Sequence, residues 1–210
     1  MRYVSHANLG GQLDHGVIVP QSECDPLRAA WEARVLGLTL ATGGDGAWSI
    51  DMSPAARETL PGYGRLSHYE IWLAGLELRL RQPGMLDRAE NAASISLRAL
   101  VAVPRVLAAV DMEAMLARGA PTARPATTPP RQQEGDRVRA RTDAMNHHTH
   151  SPDYAHGKCA WIAHSHGMHV FADANTHGLG ERPQWLYTLV LGAIDLQAKA
   201  ARSNAVLVNA

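Results

Sequence analysis

The feature that most constrains this chain is a proline-rich stretch separating two segments of different periodicity. Residues 119–133 carry Pro121, Pro125, Pro129 and Pro130 among Ala, Thr and Arg, a composition that forms a semi-rigid spacer. Before it, apolar residues recur at helical spacing. After Gly135-Asp136 they alternate, with Val138, Ala140 and Thr142 set against Arg137, Arg139 and Arg141, the period of a half-buried strand. A chain of 210 residues is long enough to bury one large core or two small ones. The expected class is therefore α+β, with a helical part over 1–118, a linker over 119–133 and a β domain over 134–210.

Residues 1–26 hold Gly10, Gly11, Gly16, Pro20 and Pro26 with little periodicity and read as an extended arm, ordered where another segment packs on it. Trp31, Val35, Leu38 and Leu40 predict a helix from Leu27 to Thr42, ended by Gly43 and Gly44. Ser53-Pro54 predicts an N-cap followed by proline at the first helical position. Ser67 is expected to cap a helix from His68 to Arg81 whose apolar stripe is Trp72, Leu76 and Leu80, widened by Ile71, Leu73 and Leu78. Residues 85–118 read as helical pieces interrupted by Pro104, the last one capped by Asp111 and ending at Arg118-Gly119. Beyond the linker, Cys159–Ala163, Met168–Phe171, Leu186–Leu191 and Ala205–Val208 are short β-type runs with Gly-rich turns, the pattern of a small barrel.

Composition removes several function classes. Lys plus Arg and Asp plus Glu are equal at 20 each, so nothing favours nucleic acid or an anionic membrane surface. No apolar run reaches the roughly 18 residues of a spanning helix, and the N-terminus lacks a signal core. Cys24 and Cys159 stand alone, which argues against a disulfide framework or Cys-based zinc site and for a reducing cytoplasm. Neither cysteine sits in a setting that lowers a thiol pKa. Gly43-Gly44-Asp45-Gly46 lacks the Lys-Ser/Thr of a phosphate loop.

Eight of the 11 histidines lie between His147 and His177. On a strand His164 and His166 share a face, and His169 can approach them across a turn. With no Cys or carboxylate close in sequence to complete a ligand set, no metal site is assigned to this chain. Trp31, Trp48, Tyr69 and Trp72 either line an aromatic pocket or form a core stripe. Taken alone, the residues describe a two-part protein whose catalytic set, if it has one, comes from elsewhere.

Longer motifs go further. Leu9-Gly10-Gly11, Trp31-Glu32-Ala33-Arg34-Val35, Ala47-Trp48-Ser49-Ile50-Asp51-Met52 and the run from His68 to Glu77 are followed by Pro104-Arg105-Val106-Leu107-Ala108-Ala109. Then come Gly135 to Arg141, Tyr154-Ala155-His156-Gly157-Lys158, Gly167 to Asp173, His177-Gly178-Leu179-Gly180-Glu181 and Pro183-Gln184-Trp185-Leu186-Tyr187. In this order they resemble the β subunit of nitrile hydratase almost end to end. The resemblance implies a helical part wrapped around an α subunit, in an αβ heterodimer or α2β2 assembly, and a C-terminal SH3-like β-barrel. It implies a non-haem iron(III) or non-corrin cobalt(III) held by the α subunit through cysteine sulfurs, two of them oxidised, and backbone amides. Such a metal is a Lewis acid for hydrating a small nitrile to its amide. The β subunit would supply arginine donors to the oxidised sulfurs, a task suited to the guanidinium fork, and aromatic walls.

Carried onto this chain, the donor positions are Arg57, His150 and His156, and the substrate-facing positions are Trp48, His68, Tyr69 and Trp72. Family arginines align with Pro54, His150 and His156, a usual tyrosine aligns with His68, and the tail lacks the Leu-Trp-Glu-Pro-Tyr segment. Loss of charge-assisted donors is expected to lower activity. Two other readings accompany the first: a non-catalytic partner or maturation factor for a metal-binding α subunit, and a thiocyanate hydrolase-related subunit. The unbroken chain disfavours the last.

Overall fold

The computed structural model describes residues 4–10, 17, 19–20, 27–142, 151–196 and 205–209. They cluster into two compact units, one over Val4–Ala120 and one from Pro121 onward.

The first unit is helical, and α3 (His68–Arg81) is its hub, packing against both α1 (Ala30–Gly44) and α2 (Met52–Glu58). Its bounds follow from local chemistry. Glu70 reaches back to accept the Ser67 amide at 2.7 Å, the return half of a capping box. Val35, Trp48, Ala55, Leu60 and Leu76 are buried in this unit. Of the apolar residues that predicted α1, Val35 is buried whereas Trp31 and Leu38 are 39% and 55% exposed, so Trp31 is not part of a core stripe. The arm is ordered where it meets α2: the His6 amide donates to the Glu58 carbonyl at 2.7 Å.

Two side-chain caps expected from the sequence are absent, although Asp111 does stand at the N-cap position of its helix. Ser53 does not cap α2, which begins one residue earlier; its hydroxyl instead accepts the Trp48 indole N–H at 3.0 Å. Asp111 makes no side-chain cap bond to α5 (Met112–Arg118), because it ends a short 3₁₀ turn running into that helix.

The larger departure lies between residues 94 and 108, expected to be partly helical. Here α4 (Arg88–Ala93) is the sole α-helix of 85–108 and stops at Ser94, whose φ of 56° is left-handed. Glu90 explains the stop. Its carboxylate accepts Leu97 N at 3.0 Å, Arg98 N at 3.2 Å and Arg98 Nη2 at 2.6 Å, so it captures the chain that would otherwise continue the helix. The following extended segment docks on the end of α1, where the Arg105 amide donates to the Asp45 carbonyl at 3.1 Å.

The second unit is a five-stranded antiparallel sheet built on β3 (Cys159–His169). It pairs with β1 (Ala123–Arg124), β2 (Arg137–Arg139) and β4 (Gln184–Gly192), and β4 pairs with β5 (Ala205–Asn209). Among the described residues no pairing closes this sheet into the expected barrel: its order runs β1-β3-β4-β5, with β2 also on β3. Within the stretch read as a linker, Ala123 and Arg124 are strand residues opposite His169 and Met168. Arg124 holds them there by a forked contact with the Glu181 carboxylate, Nε to Oε2 being 2.6 Å. The core of the sheet is Ala155, Ala160 and Leu191, with Val138, Tyr154 and Leu189 against it.

Two β-bulges in β3 decide where its histidines point. Unbroken alternation from buried Ala160 and Ile162 would carry His164 and His166 inward. Register shifts between Ile162 and His164, and again between Ser165 and Gly167, turn both imidazoles out and bring Met168 back in. Gly167 takes φ of 91° at the second shift, a conformation that favours glycine.

The Glu90 carboxyl is held down to about 2, chiefly by the Arg98 side chain and then by the Leu97 amide, against an ordinary value of 4.5. A depressed folded-state pKa means the stabilisation is present above pH 4.5 and disappears as pH falls through about 2. In an acid titration followed by NMR, the Leu97 and Arg98 amide shifts should move with a midpoint near that lower value, and Glu90→Gln should remove the transition.

Candidate functional site

The first unit gathers a guanidinium and a set of aromatic rings on facing sides of α2 and α3. Arg57 lies with its Cζ 4.5 Å from the Trp72 ring centroid, and its Nε donates to the Ser53 carbonyl at 3.3 Å. Trp72 continues into His68 at 5.4 Å and Tyr69 at 6.0 Å, and His68 meets Tyr69 edge-on at 5.0 Å. Helical spacing explains the grouping, since residues one turn apart share a face. Trp48 joins through Ser53, which its indole N–H reaches. Arg79 covers the Trp48 ring at 5.2 Å and points Nη2 at Met52 Sδ, 3.3 Å away.

Burial pushes the Arg57 pKa down, yet a guanidinium starts so high that it stays charged at neutral pH. Tyr63 and Glu58 favour its charge from nearby, but among the described residues no carboxylate forms a close ion pair with it and no hydrogen bond uses its terminal Nη groups. It is thus a half-buried cation seated on an indole, held through Nε and, among the described residues, without a hydrogen bond from its terminal nitrogens. Such a group can take an external anionic oxygen, and the rings beside it offer apolar and edge contacts to a small ligand.

Arg57, His68, Tyr69 and Trp72 are therefore brought together, with Trp48 one hydrogen bond away. His156 belongs to the second unit, in the turn before β3, with Nδ1 3.5 Å from Asp153 Oδ1. His150 lies outside the described residues. The three histidines of β3 each have a protein partner: His164 Nδ1 with Glu134 at 2.7 Å, His166 Nε2 with Thr188 at 2.7 Å, His169 Nδ1 with Thr122 at 2.9 Å. Among the described residues no three His, Cys, Asp or Glu side chains converge as a metal site.

Sequence reasoning missed Ser53 as the link between Trp48 and Arg57, Arg79 as the cover of Trp48, and Gly75. The last had a signal: an isolated glycine inside a strong helical pattern often marks close approach by another element.

Comparison with known proteins adds the following. A family model described as nitrile hydratase beta subunit, N-terminal, matches residues 3–124, and its C-terminal counterpart matches 121–210. The low-molecular weight cobalt-containing nitrile hydratase subunit beta of Rhodococcus rhodochrous is 29% identical, covering 95% of this chain and 92% of that protein. A nitrile hydratase subunit beta from a Rhodococcus species is 30% identical over 90% of this chain and 84% of its own length. Among solved structures, thiocyanate hydrolase apo-enzyme from Thiobacillus thioparus matches 42% of this chain and 73% of its own at 20% identity, with a TM-score of 0.36.

Replacing Ser53 by Ala strands a buried indole donor, a change worth about 1–3 kcal/mol. Urea denaturation of Ser53→Ala should show that loss of stability; an unchanged midpoint would mean the Trp48–Ser53 bond contributes nothing.

Proposed function

This chain is a member of the nitrile hydratase β-subunit family, and from that membership we propose that it serves as the β subunit of a nitrile hydratase, hydrating a small nitrile to its amide in a heteromer. The observation that carries the reading is the Arg57 guanidinium seated on Trp72 and held through Nε by the Ser53 carbonyl, beside rings suited to a small substrate.

In this reading the α subunit holds the metal, and the cobalt named for the Rhodococcus rhodochrous relative favours cobalt(III) over iron(III). The metal supplies Lewis acidity for the addition of water to the C≡N bond. Arg57 donates from its terminal nitrogens to oxidised sulfur on the partner, where charge-assisted bonds hold an anionic oxygen in place. Trp48, His68, Tyr69 and Trp72 wall the substrate and exclude water. His156, and His150 with it, add donors when protonated. Residues 1–118 bind the α subunit, and the sheet of the second unit belongs to an SH3-like barrel.

The unit's surface supports a large partner. Ile95, Leu97, Leu100, Val106 and Val110 are between 54% and 95% exposed along one segment, and Trp31 and Leu38 on α1 are exposed as well. Apolar surface of this extent marks a site that another protein covers.

A second reading, a non-catalytic partner of a metal-binding α subunit, is favoured by one observation: Pro54, His150 and His156 stand where family arginines align. Co-expression with a matching α subunit, with metal content and amide formation from a simple nitrile measured on one purified complex, separates the two. A metal-loaded complex forming amide is expected; a metal-loaded complex forming none would establish the partner reading. His150→Arg and His156→Arg, each restoring one charge-assisted donor, should each raise kcat, by roughly tenfold where a full bond of about 1.5 kcal/mol is regained.

A further inference from the structure

Glycine in a helix interior destabilises relative to alanine, so its presence at position 75, buried in the middle of α3, calls for a cause. The cause is Arg57. A Cβ built on Gly75 would lie 2.4 Å from Arg57 Cγ and 3.5 Å from Arg57 Cα and Cβ. The backbone distance is ordinary contact, so α2 and α3 can stay where they are. The Cγ distance is not tolerable, and rotation of the Arg57 side chain relieves it without moving either helix. Because Cγ lies near the root of the side chain, that rotation swings the whole guanidinium. It would leave its seat 4.5 Å over Trp72 and its bond to the Ser53 carbonyl.

We propose that Gly75 is a positioning residue for Arg57: the bare face of α3 admits the Arg57 methylenes, which lays the guanidinium on Trp72 and keeps its outer N–H donors open. What those donors meet is an anionic oxygen on the partner subunit. That last clause rests on the proposed nitrile hydratase role, whereas the positioning itself does not. Trp72 is the second half of the device, since its ring holds the cation with Cζ 4.5 Å from the ring centroid.

The positioning is read on the full-length chain by the Arg57 Nε–H resonance, which the Trp72 ring current should shift upfield. Gly75→Ala should return that resonance toward the ordinary arginine position; an unmoved resonance overturns the proposal. In the heteromer, Gly75→Ala should lower kcat by about tenfold with KM changed less than about threefold, the signature of a group acting on the reacting centre rather than on binding.

Arg57→Ala removes the atom that the new methyl strikes. Gly75→Ala combined with Arg57→Ala should therefore fold as well as Arg57→Ala alone and be no less active, a strong non-additivity. Additive losses in the double variant would overturn the proposal, and this comparison stands even if Gly75→Ala alone fails to fold. If the resonance moves while Arg57→Ala leaves amide formation intact, positioning by Gly75 holds and the catalytic role given to Arg57 falls.

Discussion

How closely α2 approaches α3 is the constraint on which the first unit's chemistry depends. The two helices meet at Gly75, and that distance fixes three things together. It lets Arg57 lie flat on Trp72. It leaves Ala55, the small residue on the inner side of α2, buried, so the short helix has a core despite its seven residues. It also sets Ser53 where its hydroxyl receives the Trp48 indole and its carbonyl receives Arg57 Nε. An isolated helix this short is unstable in water; here packing on α3, rather than propensity, holds it.

Polar capture does for the rest of this unit what apolar packing does for α2. Glu90 is nearly buried, and its carboxylate collects donors from Asp87, Leu97 and Arg98. A buried charge is tolerable when it is this fully hydrogen-bonded. The result is an extended segment with exposed apolar side chains, which a helix over the same residues would have folded onto itself. The second unit uses bulges to a comparable end, since each extra residue in β3 changes which face the next side chain occupies. The histidine-rich stretch thereby becomes a polar surface in which Glu134, Thr188 and Thr122 occupy ring nitrogens.

These devices explain what the residues disclosed and what they withheld. Periodicity located α3 to the residue because Ser67, Glu70 and the Trp72–Leu76–Leu80 stripe agree with one another. It located β2 because Val138 and Ala140 alternate with exposed arginines. It failed over 94–108, where the deciding contact joins Glu90 to residues seven and eight positions on, a separation that no periodicity registers. It likewise gave no warning that two bulges would break the alternation of β3. For the candidate site, Arg57, His68, Tyr69 and Trp72 were named through resemblance and are grouped in space. Ser53, Arg79 and Gly75 were not, because each acts through a neighbour on another element.

The proline at position 54 then acquires a physical reading. It lies in the first turn of α2, where a missing N–H leaves no intrahelical bond unmade, so the fold accepts it without loss. A guanidinium at 54 would project from the helix start; one at 57 leaves the same helix about one turn later, on a neighbouring part of its surface. On the proposed reading, the donor has moved along α2 rather than vanished, and Gly75 with Trp72 form the seat that such a move requires. The shift also alters the donor's surroundings. Burial raises the cost of solvating Arg57, as its lowered pKa records, and a poorly hydrated guanidinium gains more from an anionic oxygen than a solvated one does. Competence in this chain therefore depends less on how many arginines align with the family than on whether this one, held between two helices, faces the partner's oxygens.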